Sequence, residues 1–86
     1  MRQVESPEFQ CEVITNGINL RSGPGRANRL IVGLQQGEQV TPTGRSADGA
    51  WLKVRLPERN LEGWVTYSER FLACQPPASA LPVVDP

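Results

Sequence analysis

The sequence predicts an all-β fold, a small barrel or sandwich of five or six short strands. Three observations carry this reading. Apolar and polar residues alternate in runs of four to six, the period of a half-buried strand. Turn residues separate the runs at short, regular spacing. Nowhere do ten consecutive residues show an apolar stripe of helical period.

"CEVIT" (11–15) reads as the first strand, ended by Asn16-Gly17, a strong turn dipeptide. "INLRS" (18–22) follows, with Ile18 and Leu20 on one face and Asn19 and Arg21 on the other. "GPGRANR" (23–29) is a shaped loop. Its glycines permit positive φ, and Pro24 fixes φ without donating a hydrogen bond. "LIVGLQQGEQV" (30–40) starts as a strand and bends at Gly33 and Gly37. "TPTGRS" leads to "ADGA", where Asp48-Gly49 marks another turn. "WLKVRL" (51–56) alternates without fault: Leu52, Val54 and Leu56 share one face, and Trp51, Lys53 and Arg55 the other. "PERN" turns the chain into "LEGWV", with Leu61 and Val65 on one side. "TYSER" suits one short helical turn, and "FLAC" closes the pattern.

Residues 1–9 lack periodicity and read as a disordered N-terminal segment. Residues 76–86, "PPASALPVVDP", read as a Pro/Ala-rich linker or tail. A domain over about 10–75 is left, a size at which a hydrophobic core is marginal and is often stapled. Cys11 and Cys74 bracket that region. Antiparallel terminal strands would bring them together, and the bridge would add roughly 4 kcal/mol on the chain-entropy account. The alternative is two unrelated buried thiols. A disulfide implies an oxidising compartment. The first twenty residues show no signal-peptide pattern, so the expected setting is a piece of a longer extracellular, periplasmic or cell-surface protein.

Nine basic and nine acidic residues balance to zero net charge, which argues against a nucleic-acid partner. No stretch is long and apolar enough to insert in a membrane as a helix. With no histidine, and two thiols at most, a zinc site is not expected, nor is any cofactor. Catalysis finds no support either: the commonest general base is missing. Ser22, Ser46 and Ser68 have no activating partner. The glycines of "SGPG" lack the Gly-Lys-Ser/Thr that opens a phosphate loop.

Three segments in order carry a family resemblance: "INLRSGPG", then "GLQQGEQVTPTGRSADGAWLKVRL", then "EGWV" with the Phe71-Leu72 pair. Across about residues 11–74 the chain resembles a bacterial SH3-like (SH3b) domain. The resemblance implies a small SH3-like barrel of about five short, strongly bent strands, with "SGPGRANR" in the long loop after the first. It also implies a binding role, toward cell-wall peptides or other proteins, within exported enzymes and surface proteins. The stretch between Trp64 and Phe71 is about two residues longer than is usual, and Phe71 stands where a Tyr is common.

The candidate site follows from strand parity. Trp51, opposite the apolar face of its strand, is a contact platform or a lid over the "SGPG" loop. Trp64 has the same two readings. Tyr67 and Arg21 supply polar contacts at the rim, and Ser22 and Gly23 form a wall. Arg21, Arg26 and Arg29 flank the loop; guanidinium groups pair with carboxylates, although three loop arginines also suit a solvated surface. Two functions remain. One is a non-catalytic module that binds peptidoglycan peptide, or a protein or peptide partner, in a shallow groove, alongside other domains of a larger chain. The other is a structural or regulatory domain packed on a neighbouring domain. A groove left open supports the first, and a groove filled by the chain's own tail the second.

Overall fold

The computed structural model describes residues 9–84. Seven antiparallel strands follow one another, more than the five expected: β1 (Gln10–Val13), β2 (Ile18–Arg21), β3 (Leu30–Leu34), β4 (Gln39–Arg45), β5 (Trp51–Leu56), β6 (Leu61–Thr66) and β7 (Leu72–Gln75). Their spatial order is β3-β2-β6-β5-β4-β1-β7. The sheet coils around one core without closing, so β3 and β7 are its edges.

β4 makes this coiling possible. Cys11 of β1 pairs with Val40 at the start of β4, whereas Thr41 to Arg45 pair with β5. A shift in register between Pro42 and Gly44 marks the bend, the usual way for one strand to serve two differently oriented neighbours. Gly33 does not bend its strand, contrary to expectation; β3 runs through it, and the break falls at Gln35–Glu38, where Gly37 takes φ +92°.

The alternation read from the sequence becomes the core. Leu20, Leu52, Val54, Leu56 and Val65 are each 0–1 % exposed. They join Val13, Ile18, Leu34, Val40 and Leu72 in a single cluster. Burying a side chain of this size contributes about 1.5–3 kcal/mol, so these strands are held by one shared apolar face.

Cys11 and Cys74 are direct partners in the β1–β7 register and form a disulfide, with Cα atoms 4.1 Å apart. The bridge spans 63 residues and ties together the two strands that begin and end the sheet.

The chain's ends differ from the sequence reading. Phe9 packs against the core rather than belonging to a free segment; residues 1–8 lie outside the described residues. Residues 76–84 are not a linker hanging from β7. A short 3₁₀ turn at Ala78–Ala80 places Ala78 and Leu81 on the core, each 3 % exposed. Positions three apart eclipse in such a turn, so both point the same way. Beyond it the chain runs parallel to the end of β4. Arg45 N–H donates to Pro82 O, and Val84 N–H donates to Arg45 O, both at 2.9 Å. The Arg45 Nε–H also donates to Leu81 O at 2.9 Å. Gly44 has no side chain because the strap lies on it: a Cβ there would stand 2.7 Å from Val84 Cγ2. The expected helical turn in "TYSER" is instead a turn without helix, closed by Phe71 N–H and Leu72 N–H on Ser68 O at 2.9 and 3.0 Å.

Two stability predictions follow. Reducing the disulfide should cost about 4 kcal/mol, the loop-closure entropy of a loop this long, read as a lower denaturation midpoint with reductant. An unchanged midpoint would show that β1 and β7 hold without the bridge. Leu81→Ala should cost about 2–4 kcal/mol, the range for truncating a buried Leu, measured by thermal melting. A loss under about 0.5 kcal/mol, the range of surface substitutions, would mean the strap adds nothing to the core.

Candidate functional site

The outer face of the central strands is set by the same parity that builds the core. In the β5–β6 ladder Trp51 faces Thr66, and Lys53 faces Trp64. In the β2–β6 pairing Arg21 faces Trp64. Trp51 and Trp64 therefore stand on the non-core face, as expected, but their surroundings differ.

Trp64 is 2 % exposed. It lies in register between Arg21 and Lys53, two long side chains that are each half-buried. Of its two readings, contact platform or structural residue, this burial favours the structural one. Aliphatic stems of Arg and Lys commonly cover apolar surface in this way.

Trp51 is half-buried and lines a cleft of about 390 Å³ together with Gly17, Ile18, Asn19, Arg21, Arg26, Thr66 and Phe71. Its backbone is fixed by the "RSADGA" turn. Trp51 N–H donates to the Ser46 hydroxyl at 3.1 Å, and Ser46 N–H donates to Trp51 O at 2.9 Å. The Ser46 hydroxyl donates in turn to Asp48 Oδ1 at 2.7 Å, which also accepts Ala50 N–H at 3.0 Å. Asp48 thus reaches Trp51 through Ser46. The Ala50 N–H, and after it the Ser46 hydroxyl, hold the Asp48 carboxyl below its ordinary pKa.

The loop after β2 is a second rigid wall. Ser22 N–H donates to Arg29 O at 2.9 Å, closing its base. The Asn28 side chain fills its centre, donating to Gly25 O at 3.3 Å. Gly23 is required by this packing rather than by φ, because a Cβ would lie 2.7 Å from Asn28 Oδ1. Arg21 Nη1–H donates to Asn28 O at 3.0 Å, so the guanidinium just before the loop braces it. Ser22 and Gly23 shape the wall from behind and do not line the cleft.

The structure brings Trp51 and Arg21 together, with Arg26 from the expected loop wall and Thr66 and Phe71 from the segment expected opposite it. It does not bring Tyr67 to them. The 66–71 turn carries Tyr67 to the other side of β5's start, where its N–H donates to Ala50 O at 2.8 Å. There it lines two other depressions. One, about 620 Å³, runs along β1 and β7 beside the disulfide; the other, about 240 Å³, lies over the strap near Pro77 and Ala78. The larger one sets the polar Gln10, Glu12, Gln39, Glu69 and Gln75 around the disulfide, Leu72 and Tyr67, with no cationic group among its lining. The cleft at Trp51 is smaller but combines two aromatic rings with a braced guanidinium, the chemistry that concentrates binding energy. Asn28 and Phe71 carry much of this arrangement. Phe71 was legible as part of the closing aromatic-Leu pair, whereas nothing in "GRANR" distinguishes Asn28 from a solvated loop residue.

The aromatic cleft and the long, braced loop thus lie together on one face of a small coiled β-sheet. The bacterial SH3 domain family matches residues 16–73, about two thirds of the chain, and the chain belongs to that family. No curated protein and no solved structure matches it. Domains of this family generally mediate protein or peptide interactions. The match stops short of both cysteines, of β1 and of the segment after β7.

Because its folded pKa is lowered, Asp48 favours the folded turn above the ordinary carboxylate pKa, and the contribution fades as pH falls through the folded value. The Ala50 amide shift should follow this titration, with a midpoint below that of an unstructured Asp peptide. A midpoint at or above the peptide's would mean that the Asp48–Ser46 link does not hold the turn.

Proposed function

We propose that the domain is a module of an exported or cell-surface protein and binds an extended peptide in the cleft at Trp51, with cell-wall peptide as the first candidate. The observation that carries this is the cleft itself. Trp51 and Phe71 are half-buried against it, and Arg21 is braced at its side. A half-buried aromatic keeps its ring in place while leaving one surface for a ligand, so little conformational freedom is lost on binding.

The strap bears on the alternative, a domain packed on its own neighbour. A tail that filled the groove would favour that reading. Among the described residues the strap lies on β4 and the core, and the cleft is lined by nothing after Phe71. That no described segment fills the cleft supports a separate ligand. The disulfide suits an oxidising compartment, consistent with a ligand outside the cytosol. A site this shallow gives weak binding alone, and neighbouring domains of a parent chain would strengthen it through effective concentration.

Trp51→Ala tests this reading. The core residues Leu52, Val54 and Leu56 are untouched, so the variant should melt cooperatively while its retention on insoluble peptidoglycan falls at least tenfold. Full retention by a folded variant would remove Trp51 from the site. Loss of the fold would instead make Trp51 a lid over the loop.

A further inference from the structure

The lining of the cleft is chemically one-sided. Its ionisable side chains are Arg21 and Arg26, and no carboxylate is among them. Elsewhere on the described surface, Arg59 is paired with Glu38 at 3.0 Å. Among the described residues neither Arg21 nor Arg26 has an acidic partner within ion-pair distance. A protein of zero net charge therefore carries two unneutralised guanidinium groups beside two aromatic rings.

Arg21 differs from an ordinary surface arginine in two ways. It is half-buried, and one of its N–H groups is fixed on Asn28 O at 3.0 Å. That bond uses one donor of five and leaves the rest of the fork in place for an acceptor. A guanidinium already held in one orientation loses little freedom on meeting a carboxylate, whose two oxygens match its fork. Arg26, in the loop itself, is exposed and adds charge at the same wall.

Resting on the peptide-binding reading of this cleft, we propose that it selects the C-terminal carboxylate of its peptide, held by Arg21 with Arg26 beside it, while the preceding side chains lie on Trp51 and Phe71. The loop supports a chain end over an internal acidic residue. Asn28 holds the loop against Arg21, and Arg26 of that loop lines the cleft beside Arg21, so the loop stands next to the place the charge would take. A peptide that ends there needs no way out, whereas one with an internal Asp or Glu must carry its backbone past the loop.

Three acetylated pentapeptides test this: Ac-Ala-Ala-Ala-Leu-Ala as the free acid, the same peptide as its C-terminal amide, and an amide carrying Glu at position four. Titrations are followed by NMR shifts of the Trp51 indole N–H. The free acid should bind at least tenfold more tightly than the plain amide, and 0.5 M salt should remove most of the difference. Arg26→Gln, which leaves every described hydrogen bond intact, should reduce the preference several-fold. Arg21→Gln should abolish it, and Arg21→Lys, which keeps the charge without the planar fork, should keep only part of it. Equal binding of acid and plain amide would overturn the carboxylate proposal while leaving the cleft a peptide site. A Glu amide as tight as the acid would overturn the choice of a chain end. Failure of all three peptides would overturn the proposal, and the peptidoglycan retention of the Trp51 variant would then show separately whether the cleft binds at all.

Discussion

A sheet of short strands, most of them four to six residues long, buries too little apolar surface to hold its own ends, because each edge strand gains contacts from one side only. This chain meets that constraint at the β1–β7 pairing. Cys11 opposite Cys74 fastens the first strand to the last. With β1 fixed, Val13 N–H donates to Glu38 O and accepts Gly37 N–H on its own carbonyl. The start of β4 is thereby set, and β4 can turn at its bulge to serve β5. Ile14, just after β1, donates its N–H to Phe71 O at 2.9 Å, so the end of that strand also places one wall of the cleft. The link between staple and site is therefore short.

The strap extends this logic to the other end of β4. Leu81 and Ala78 supply the core with two side chains that no strand provides. Arg45 makes three hydrogen bonds with the strap, through its own N–H, carbonyl and guanidinium. Its neighbour Ser46 begins the turn that holds Trp51. Strap, turn and tryptophan are consecutive pieces of one structure, although the strap never enters the cleft. A substitution in the strap should accordingly be felt first as lost stability and only then as looser positioning of Trp51.

How much of this was legible depends on which property each residue expresses. Strand parity was readable: Ile18 and Leu20, and Leu52, Val54 and Leu56, point inward as their alternation requires. The disulfide was readable because two cysteines bracket a domain too small to be indifferent to a staple. The strap was not, because "PPASALPVV" has the composition of a linker. Its apolar spacing of three has meaning only once a 3₁₀ turn aligns Ala78 with Leu81. Parity also could not separate the two tryptophans. Both stand on the outer face, yet neighbouring strands bring long side chains alongside Trp64 and leave Trp51 at the end of its ladder. Tyr67 was misplaced because the lengthened segment after Trp64 turns without forming a helix, and a turn's direction is not encoded in periodicity.

The Gly-Pro-Gly stretch shows how shape and charge combine at one place. Gly23 has no side chain because Asn28 occupies that space. Asn28 in turn offers its carbonyl to Arg21. The arginine therefore has a structural duty that explains its position without any ligand: it donates to the Asn28 carbonyl and holds the folded loop. A guanidinium has more donors than that duty needs, and Arg21 lines the same cleft as Trp51 and Phe71. One side chain can in this way hold a wall and meet a ligand. This also predicts how the two roles separate. A lysine at position 21 keeps the charge but has no planar fork with which to bond the loop and a carboxylate together. A loosened loop and a weakened anion preference would then appear in the same variant, while Arg26, whose side chain has no described bond to the loop, would report on charge alone.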